Sequence, residues 1–203
     1  MNKYFRFFAA ILSLATMGAA HGAALSTGFT SNNSQNGIMF DVVTFSNALT
    51  VTGFDLNLSS AASIIEVYKK SGSFVGSQDS ASAWTLVGST AITSNGSGNA
   101  TFVDIADFGL EANATTGLYI TSQGTGYTQY TNGTGVGNVA AANADLQILE
   151  GHGKAYAFST NYSPRIFSGT IQYEVAAVPE PSTWAMMGLG LVGLAFSRRK
   201  AKA

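Results

Sequence analysis

Apolar and polar residues alternate along most of the chain between residues 24 and 177. The alternation is clearest near the end of that stretch, where Ile171, Tyr173 and Val175 are each followed or preceded by a polar residue. A period of two places one set of side chains on a buried face of a strand and the other set in solvent. No amphipathic helical pattern of comparable length occurs, so the sequence predicts an all-β protein. We expect strands at Ile38–Phe45, Leu49–Leu58, Ser63–Lys69, Trp84–Thr93, Ala100–Ile105, Gly117–Ser122, Leu146–Leu149 and Lys154–Ser159.

Short segments rich in glycine and asparagine separate the predicted strands. Residues 94–98 and 132–135 have the composition of tight turns, because glycine and asparagine accept positive φ. Within Leu49–Leu58 the apolar phase shifts at Gly53, which predicts a β-bulge there. No fixed internal repeat is present, which argues against a solenoid. We therefore expect a single β-sandwich, jelly-roll-like in architecture.

The first residues have the pattern of a secretory signal peptide. Lys3 and Arg6 precede an apolar stretch, Phe7–Met17, and small residues follow it. This order predicts export, with cleavage after Gly22 or Ala24. We assign residues 1–23 to the signal peptide and residues 24–177 to the β-sandwich body. A permanent membrane anchor is the competing interpretation of the same stretch.

The other end of the chain combines three elements in a short space. Two prolines bracket a glutamate at residues 179–181, an apolar run of 13 residues follows at Trp184–Phe196, and basic residues end the segment. As a helix the run is about 20 Å long, against a hydrocarbon core of about 30 Å, so it is a marginal membrane span. The basic end is expected to stay cytoplasmic, which leaves the body outside.

This segment, residues 178–203, resembles the PEP-CTERM sorting signals of Gram-negative bacteria that make exopolysaccharide. The resemblance assigns the sorting motif to Pro179, Glu180 and Pro181, the membrane helix to Trp184, Gly188, Gly190, Gly193 and Phe196, and the basic stop to Arg198, Arg199 and Lys200. It implies that a membrane enzyme of the exosortase type recognises and processes the chain. It also implies a location in the cell envelope, at the outer surface or in the extracellular matrix, with transient or lasting attachment to the membrane. It implies no activity for the body.

The charge of the body excludes some partners. Residues 24–177 contain ten acidic and four basic residues, so the net charge of the body is −6. Nucleic acid requires clustered lysine and arginine, and we predict that this protein does not bind it. The chain has no cysteine. Its fold must therefore rest on packing without disulfides, although it is exported.

The body offers few residues for catalysis or metal binding. After loss of the signal peptide its one histidine is His152, which lies between two glycines in what we expect to be an exposed, mobile turn. A catalytic or metal-binding histidine needs a partner that holds it. The pairs Asp104/Asp107 and Asp145/Glu150 are candidates for glycan hydrolysis or Ca²⁺ binding by number alone, and we favour solvated surface acids. We predict no catalytic residue, no metal and no cofactor.

Aromatic residues give a further, non-catalytic possibility. The segment Gly124–Gly137 is the least strand-like part of the body and is expected to be a long loop at the rim of the sandwich. Its Tyr127 and Tyr130, with Trp84, are the candidate ligand contacts, although aromatic residues in strands are more often packed in the core. The leading hypothesis is a non-enzymatic structural or adhesive protein, with exopolysaccharide as a possible partner. The alternatives are a carbohydrate-binding module and a secreted glycan hydrolase.

Overall fold

The computed structural model describes residues 21–59, 61–124 and 127–176, and the structural statements below concern these residues. They form fourteen β-strands and one 3₁₀ helix, Ala81–Ala83. The strands are β1 His21–Ser26, β2 Asn33–Gln35, β3 Gly37–Thr44, β4 Leu49–Asn57, β5 Ala62–Ser71, β6 Thr85–Thr93, β7 Ala100–Leu110, β8 Thr115–Gln123, β9 Thr128–Asn132, β10 Val139–Ala142, β11 Leu146–Leu149, β12 Gly151–Lys154, β13 Asn161–Phe167 and β14 Gly169–Val175. The all-β prediction is confirmed.

Four strands form an antiparallel sheet in the order β1–β14–β4–β7, here called the small sheet. On β4 the register shifts between Val51 and Gly53 towards both neighbouring strands, and Thr52 is left without a partner in either ladder. This irregularity is the β-bulge predicted at Gly53. At one edge of the sheet, β1 pairs with β14 from His21 onward, so residues 21–23 belong to this ladder.

The other ten strands form the large sheet, which is organised around β3. Eight of them follow the order β2–β9–β13–β12–β3–β8–β5–β6. One edge of β3 pairs with β8, and its other edge pairs with β12 near Met39 and with β11 near Val42. Because Glu150 separates β11 from β12, the sheet divides at this residue. Beyond the division, β10 continues from β11 and β13 continues from β12.

The two sheets pack face to face and enclose the main core. Alternate residues of each strand point inward, as in Phe40 and Leu118 of the large sheet and Phe54 and Tyr173 of the small sheet. Phe40 stacks on Phe167 with 4.7 Å between ring centroids. Burial of this apolar surface, at about 25 cal/mol per Å², is the main stabilising contribution in a chain without cysteine. The arrangement is the predicted β-sandwich.

Two predictions about local structure are wrong. The predicted strand Lys154–Ser159 ends at Lys154, and a turn follows in which Phe158 has a φ of 57°. The apolar alternation of this segment favoured a strand. A bulky residue rarely adopts positive φ, so nothing in the sequence indicated the turn at Phe158. The predicted loop Gly124–Gly137 contains β9, because Thr128 and Tyr130 point into the core and their neighbours do not.

Candidate functional site

The chain itself covers the middle of the outer face of the large sheet. Residues 72–84 and 155–160 supply apolar side chains that pack on those of β3, β5 and β8. The resulting group, here called the aromatic cluster, consists of Met39, Tyr68, Phe74, Trp84, Tyr119 and Phe158. The ring centroids of Tyr119 and Phe158 are 4.9 Å apart, and those of Tyr68 and Phe158 are 5.2 Å apart. The part of this face around Tyr119 is therefore buried, whereas Ile64 and Leu86 on the same face are 41 % and 48 % exposed.

Two of the three aromatic residues predicted as ligand contacts are buried. Trp84 belongs to the aromatic cluster, and its Nε1 donates a hydrogen bond to the carbonyl of Ser77 at 2.9 Å. Tyr130 lies on β9 and is wholly buried in the main core, with the guanidinium of Arg165 5.8 Å from its ring centroid. Because both side chains are buried, the described fold gives no support to the predicted stacking role of Trp84 and Tyr130. Tyr127 is 40 % exposed and lies apart from both.

A buried carboxylate fixes the first covering segment. Asp41 on β3 accepts hydrogen bonds from the Ser73 hydroxyl at 2.6 Å and from the backbone N–H of Phe74 at 2.8 Å. Burial raises the pKa of Asp41, and these two hydrogen bonds oppose the rise. Asp41 thus holds the start of residues 72–84 on the sheet.

A buried lysine joins the two covering segments. Lys154, wholly buried at the end of β12, donates to Asp79 Oδ1 at 2.9 Å and to Asn161 Oδ1 at 2.8 Å. It also donates to the carbonyl of Ser159. The hydrogen bond from Lys154 is the main reason that the pKa of Asp79 is lowered. A charged group is rarely buried unless it is paired in this way, and here it ties residues 72–84 to residues 155–160.

Glu66 lies beside the aromatic cluster and is also used by the fold. Its Oε1 accepts from Gln123 Nε2 at 2.6 Å, and its Oε2 accepts from the Tyr68 hydroxyl at 3.1 Å. Burial, followed by the nearby Glu66 charge, raises the pKa of Tyr68 to about 12. The carboxylate of Glu66 is therefore engaged with neighbouring side chains of its own sheet.

His152 does not lie in a mobile turn as predicted. It lies on β12 opposite Met39, and its ring meets that of Phe74 edge-on at 5.1 Å. Burial is the main cause of a lowered pKa for His152, and the Lys154 charge adds to the lowering. Its buried Nδ1 has no hydrogen-bond partner among the described residues. His152 is thus a packed residue of β12, held by its strand pairing and by Phe74.

The carboxylates Asp145 and Glu150 are likewise bound within the fold. Asp145 accepts a hydrogen bond from the Tyr173 hydroxyl at 2.9 Å. Glu150 accepts from the backbone N–H groups of Thr134 and Gly135 at 2.6 and 2.8 Å, and so holds the adjoining loop at the division of the large sheet. Over the described ranges no three histidine or acidic residues group as a metal site would require.

The outer face of the small sheet differs because the described segments leave it open. Its cross-strand pairs form three rungs of four residues. These are Ser26–Thr170–Asp55–Phe102, Ala24–Gln172–Gly53–Asp104 and Gly22–Glu174–Thr50–Gly109. The residues of this face are small or polar except for Phe102, whose side chain is 55 % exposed. This is the candidate functional face, here called the open face.

The ring of Phe102 lies against the backbone at the β-bulge. A Cβ atom added to Gly53 would lie 2.8 Å from Phe102 Cε2 and 2.9 Å from its Cζ, which is closer than real contacts. The end of the ring therefore covers the glycine. Because the side chain remains 55 % exposed, much of the ring is turned to solvent. The bulge and the glycine together create a shelf for an aromatic ring.

Polar groups surround this ring. Asp55 is the direct cross-strand partner of Phe102, and its Oδ2 accepts a hydrogen bond from Gln172 Nε2 at 2.6 Å. Asp104 lies two residues along β7 on the same face and is exposed. On the far side of Gln172, a shallow depression of about 330 Å³ is lined by residues of β1, β4 and β14, among them Ala24 and Thr52. The open face can thus offer stacking and hydrogen bonds together.

The residues predicted as the sorting signal, Pro179 to Lys200, lie outside the described residues. Comparison with protein families shows whether this segment is a sorting signal. Residues 177–200 match the family model described as the PEP-CTERM protein-sorting motif. The chain carries a PEP-CTERM sorting motif. Comparison with curated proteins finds no match for the chain.

The PEP-CTERM motif indicates an exported protein of the Gram-negative cell envelope that is sorted by an exosortase system. The family match confirms the predicted resemblance, and it implies recognition by an exosortase-type membrane enzyme. The predicted membrane segment, Trp184–Phe196, falls within the undescribed end of the chain. In the part that the structure describes, no helix is long and apolar enough to span a membrane.

The sequence analysis did not identify Phe102 as a surface residue, although the alternation along β7 indicates it. Val103 and Ile105 set the inward phase of β7, and Phe102 and Asp104 are out of that phase. An aromatic residue in the polar phase of a strand is a candidate for an exposed role. Lys154 was missed for a different reason, because its charged partner, Asp79, is 75 residues away in the sequence.

Proposed function

We propose that this protein is a non-enzymatic structural or adhesive component of the cell surface or exopolysaccharide matrix. The observation that carries the proposal is the PEP-CTERM motif at residues 177–200, since it directs the body to the envelope. Export through the predicted signal peptide, followed by sorting by an exosortase, would account for the two ends of the chain. The body then acts where it is delivered, as a compact, cysteine-free β-sandwich.

The chemistry of the body supports a role without catalysis. The buried carboxylates Asp41, Glu66 and Glu150 each accept hydrogen bonds from neighbouring groups of the fold. A glycan hydrolase needs two carboxyl groups about 5–10 Å apart across the scissile bond, usually in a cleft. Asp55 and Asp104 are diagonal neighbours across β4 and β7, but they lie on an open sheet face. This favours binding or adhesion over hydrolysis.

Fractionation of the host, with and without its exosortase gene, tests the proposal. The protein is followed by intact mass in the inner membrane, outer membrane, matrix and medium. We expect a product without either terminal segment in the surface or matrix fraction of the parent strain. In the strain without exosortase, we expect a heavier product that retains the carboxyl-terminal segment in the cell membrane fraction.

The control is a variant with Pro179 and Pro181 changed to alanine, which should behave in the parent strain as the unchanged protein does without exosortase. The same mass measurement locates the mature amino terminus. An amino terminus at or before His21 would keep β1 whole. A full-length carboxyl terminus in the inner membrane of both strains would contradict the proposal.

A further inference from the structure

We propose that the open face of the small sheet binds a polysaccharide chain by stacking one sugar ring on Phe102. The neighbouring Asp55, Gln172 and Asp104 hydrogen bond to its hydroxyl or amine groups. This inference rests on the proposed function, since it gives a matrix protein its attachment surface. It places the glycan on β4, β7 and β14.

The first argument is the environment of the Phe102 ring. The Phe102 side chain is 55 % exposed, and its neighbours on the open face, Asp55, Asp104 and Gln172, are polar. Its far end covers Gly53, so the sheet supports the ring from below and fixes its position. A sugar ring has one apolar face of C–H groups, and such a face packs on a fixed aromatic ring with little loss of entropy.

The second argument is the polar group beside the ring. The hydrogen bond from Gln172 Nε2 to Asp55 Oδ2, 2.6 Å long, orients a carboxylate next to Phe102. That bond uses one lone pair of the carboxylate, and the remaining lone pairs accept donors from a ligand. The Gln172 carbonyl and the Asp104 carboxylate add further acceptors on the same face. Stacking with hydrogen bonds at its edge suits a pyranose.

The third argument is charge, which selects the kind of glycan. The three rungs of the open face contain Asp55, Asp104 and Glu174, and their twelve residues include no lysine, arginine or histidine. These carboxylates repel uronic acids, sulfate and phosphate. They attract donors, which neutral sugars supply as hydroxyl groups and amino sugars as ammonium groups. The ligand is therefore a neutral or amine-bearing chain rather than an acidic one.

Two other aromatic side chains among the described residues are exposed, and neither lies on the small sheet. Tyr127 lies directly before β9, and its backbone N–H donates a hydrogen bond to the Ser59 hydroxyl. Tyr156 lies beside the covered face of the large sheet, where burial raises the pKa of its hydroxyl and the nearby Glu66 adds to the rise. Both are close to 40 % exposed, which makes them suitable comparison sites for Phe102.

The experiment measures binding of the exported protein, purified from its host, to the immobilised exopolysaccharide of that host. Unchanged protein is compared with Phe102→Ala, Gln172→Ala, Tyr127→Ala and Tyr156→Ala, each checked for an unchanged circular dichroism spectrum. We expect Phe102→Ala to weaken binding by roughly three- to tenfold, the effect of one aromatic contact. We expect Gln172→Ala to weaken it about threefold, and the two tyrosine variants to bind as the unchanged protein does.

Soluble competitors separate the two classes of glycan. Cello-oligosaccharides supply hydroxyl groups, chitosan oligosaccharides supply ammonium groups, and alginate oligosaccharides supply carboxylates. Competition by the first or second class, lost in Phe102→Ala, supports the inference, and raised salt should weaken only the chitosan interaction. Competition by alginate alone would overturn it, as would equal binding by Phe102→Ala and unchanged protein, or no binding of unchanged protein to any of these glycans.

The result of the binding experiment can be distinguished from the result that tests the proposed function. Protein that fractionates with the matrix but binds no glycan through Phe102 would leave the proposed function standing and remove the inference. Protein that remains in the inner membrane in both strains would remove the proposed function instead. Phe102→Trp provides a check on folding, since it keeps an aromatic ring on the shelf and should retain binding.

Discussion

The two outer faces of this β-sandwich carry aromatic residues in opposite circumstances. On the large sheet, Tyr119 of β8 is wholly buried because residues 72–84 and 155–160 fold over it. On the small sheet, Phe102 is 55 % exposed, and no described segment covers it. The comparison teaches that an aromatic residue in a strand does not by itself mark a binding surface. What decides its role is whether the connections between strands return across the same face.

The connections explain why the faces differ. Residues 72–84 and 155–160 begin and end on strands of the large sheet, so they return over its outer face. Connections to β4 and β7, such as residues 45–48 and 94–99, pass between the sheets at the ends of the sandwich. Among the described residues, the connections therefore cover much of the outer face of the large sheet and leave that of the small sheet open.

The largest difference between the faces is expected from removing an aromatic side chain. Trp84→Ala leaves a cavity in the aromatic cluster, and we expect it to lower the free energy of unfolding by about 3–5 kcal/mol. Phe102→Ala removes a half-exposed ring, and we expect a loss of about 1 kcal/mol or less. Urea unfolding followed by circular dichroism measures both. Equal losses would show that the open face is also packed.

A matched pair of glycines sharpens the comparison. A Cβ atom at Gly37 would lie 2.7 Å from the Ile120 carbonyl oxygen and 2.7 Å from the Tyr119 ring, and neither can move freely. We expect Gly37→Ala to cost about 2–3 kcal/mol of unfolding free energy. A Cβ atom at Gly53 would meet the end of the half-exposed Phe102 ring and, at 3.1 Å, the Val103 carbonyl oxygen. Displacing the end of a half-exposed side chain costs less than displacing backbone, so we expect a loss of about 1 kcal/mol for Gly53→Ala. The same urea experiment ranks the two variants, and the reverse ranking would contradict the assignment of the covered and open faces.

Charged residues on the two faces should also differ in their contribution to the free energy of unfolding. Lys154→Met leaves the Asn161 side chain and the Ser159 carbonyl without their donor, and we expect a loss of about 2–3 kcal/mol in unfolding free energy. On the open face, Asp104→Asn is expected to change that free energy by less than about 0.5 kcal/mol. Thermal unfolding at pH 7 compares them. A large effect of Asp104→Asn would indicate a structural role for the open face.

The smallest effect concerns pH. Burial lowers the pKa of His152 below its ordinary value of 6.5, so between that value and the lowered one the unfolded chain binds a proton that the folded chain does not. Stability should therefore fall as the pH is lowered from 7 through this window. Lys154, Asp79 and Asn161 are the polar groups that influence this histidine. Unfolding of His152→Gln at the same pH values should show a shallower fall, and an identical slope would exclude His152 as its source.

Much of the fold could be predicted from the sequence because period-two alternation reports directly which face of a strand is buried. The phase shift at Gly53 gave the bulge for the same reason. The strand after Lys154 was mispredicted because Tyr156 and Phe158 keep the alternation, whereas the positive φ of Phe158 reverses the chain. Local pattern cannot reveal that reversal, since it is stabilised by contacts with Tyr68 and Tyr119 far along the chain.

The candidate site was harder to predict than the fold. Trp84 and Tyr130 resemble surface aromatics when only their polar neighbours are considered, and their burial depends on segments many residues away. The phase of β7 did contain the signal for Phe102, because Val103 and Ile105 fix the inward side. The sorting motif needed no tertiary information, since it is a contiguous stretch of sequence.

Hydroxyl-radical footprinting of the exported protein, with and without the exopolysaccharide of its host, tests the central distinction between the two faces most directly. Oxidation is measured by mass spectrometry at Phe102, Tyr127, Tyr156 and Trp84. The account predicts that the glycan protects Phe102, leaves Tyr127 and Tyr156 unchanged, and has no effect on Trp84, which reacts little in either state. Protection of Tyr127 or Tyr156 with Phe102 unchanged would contradict the account and move the binding surface away from the small sheet.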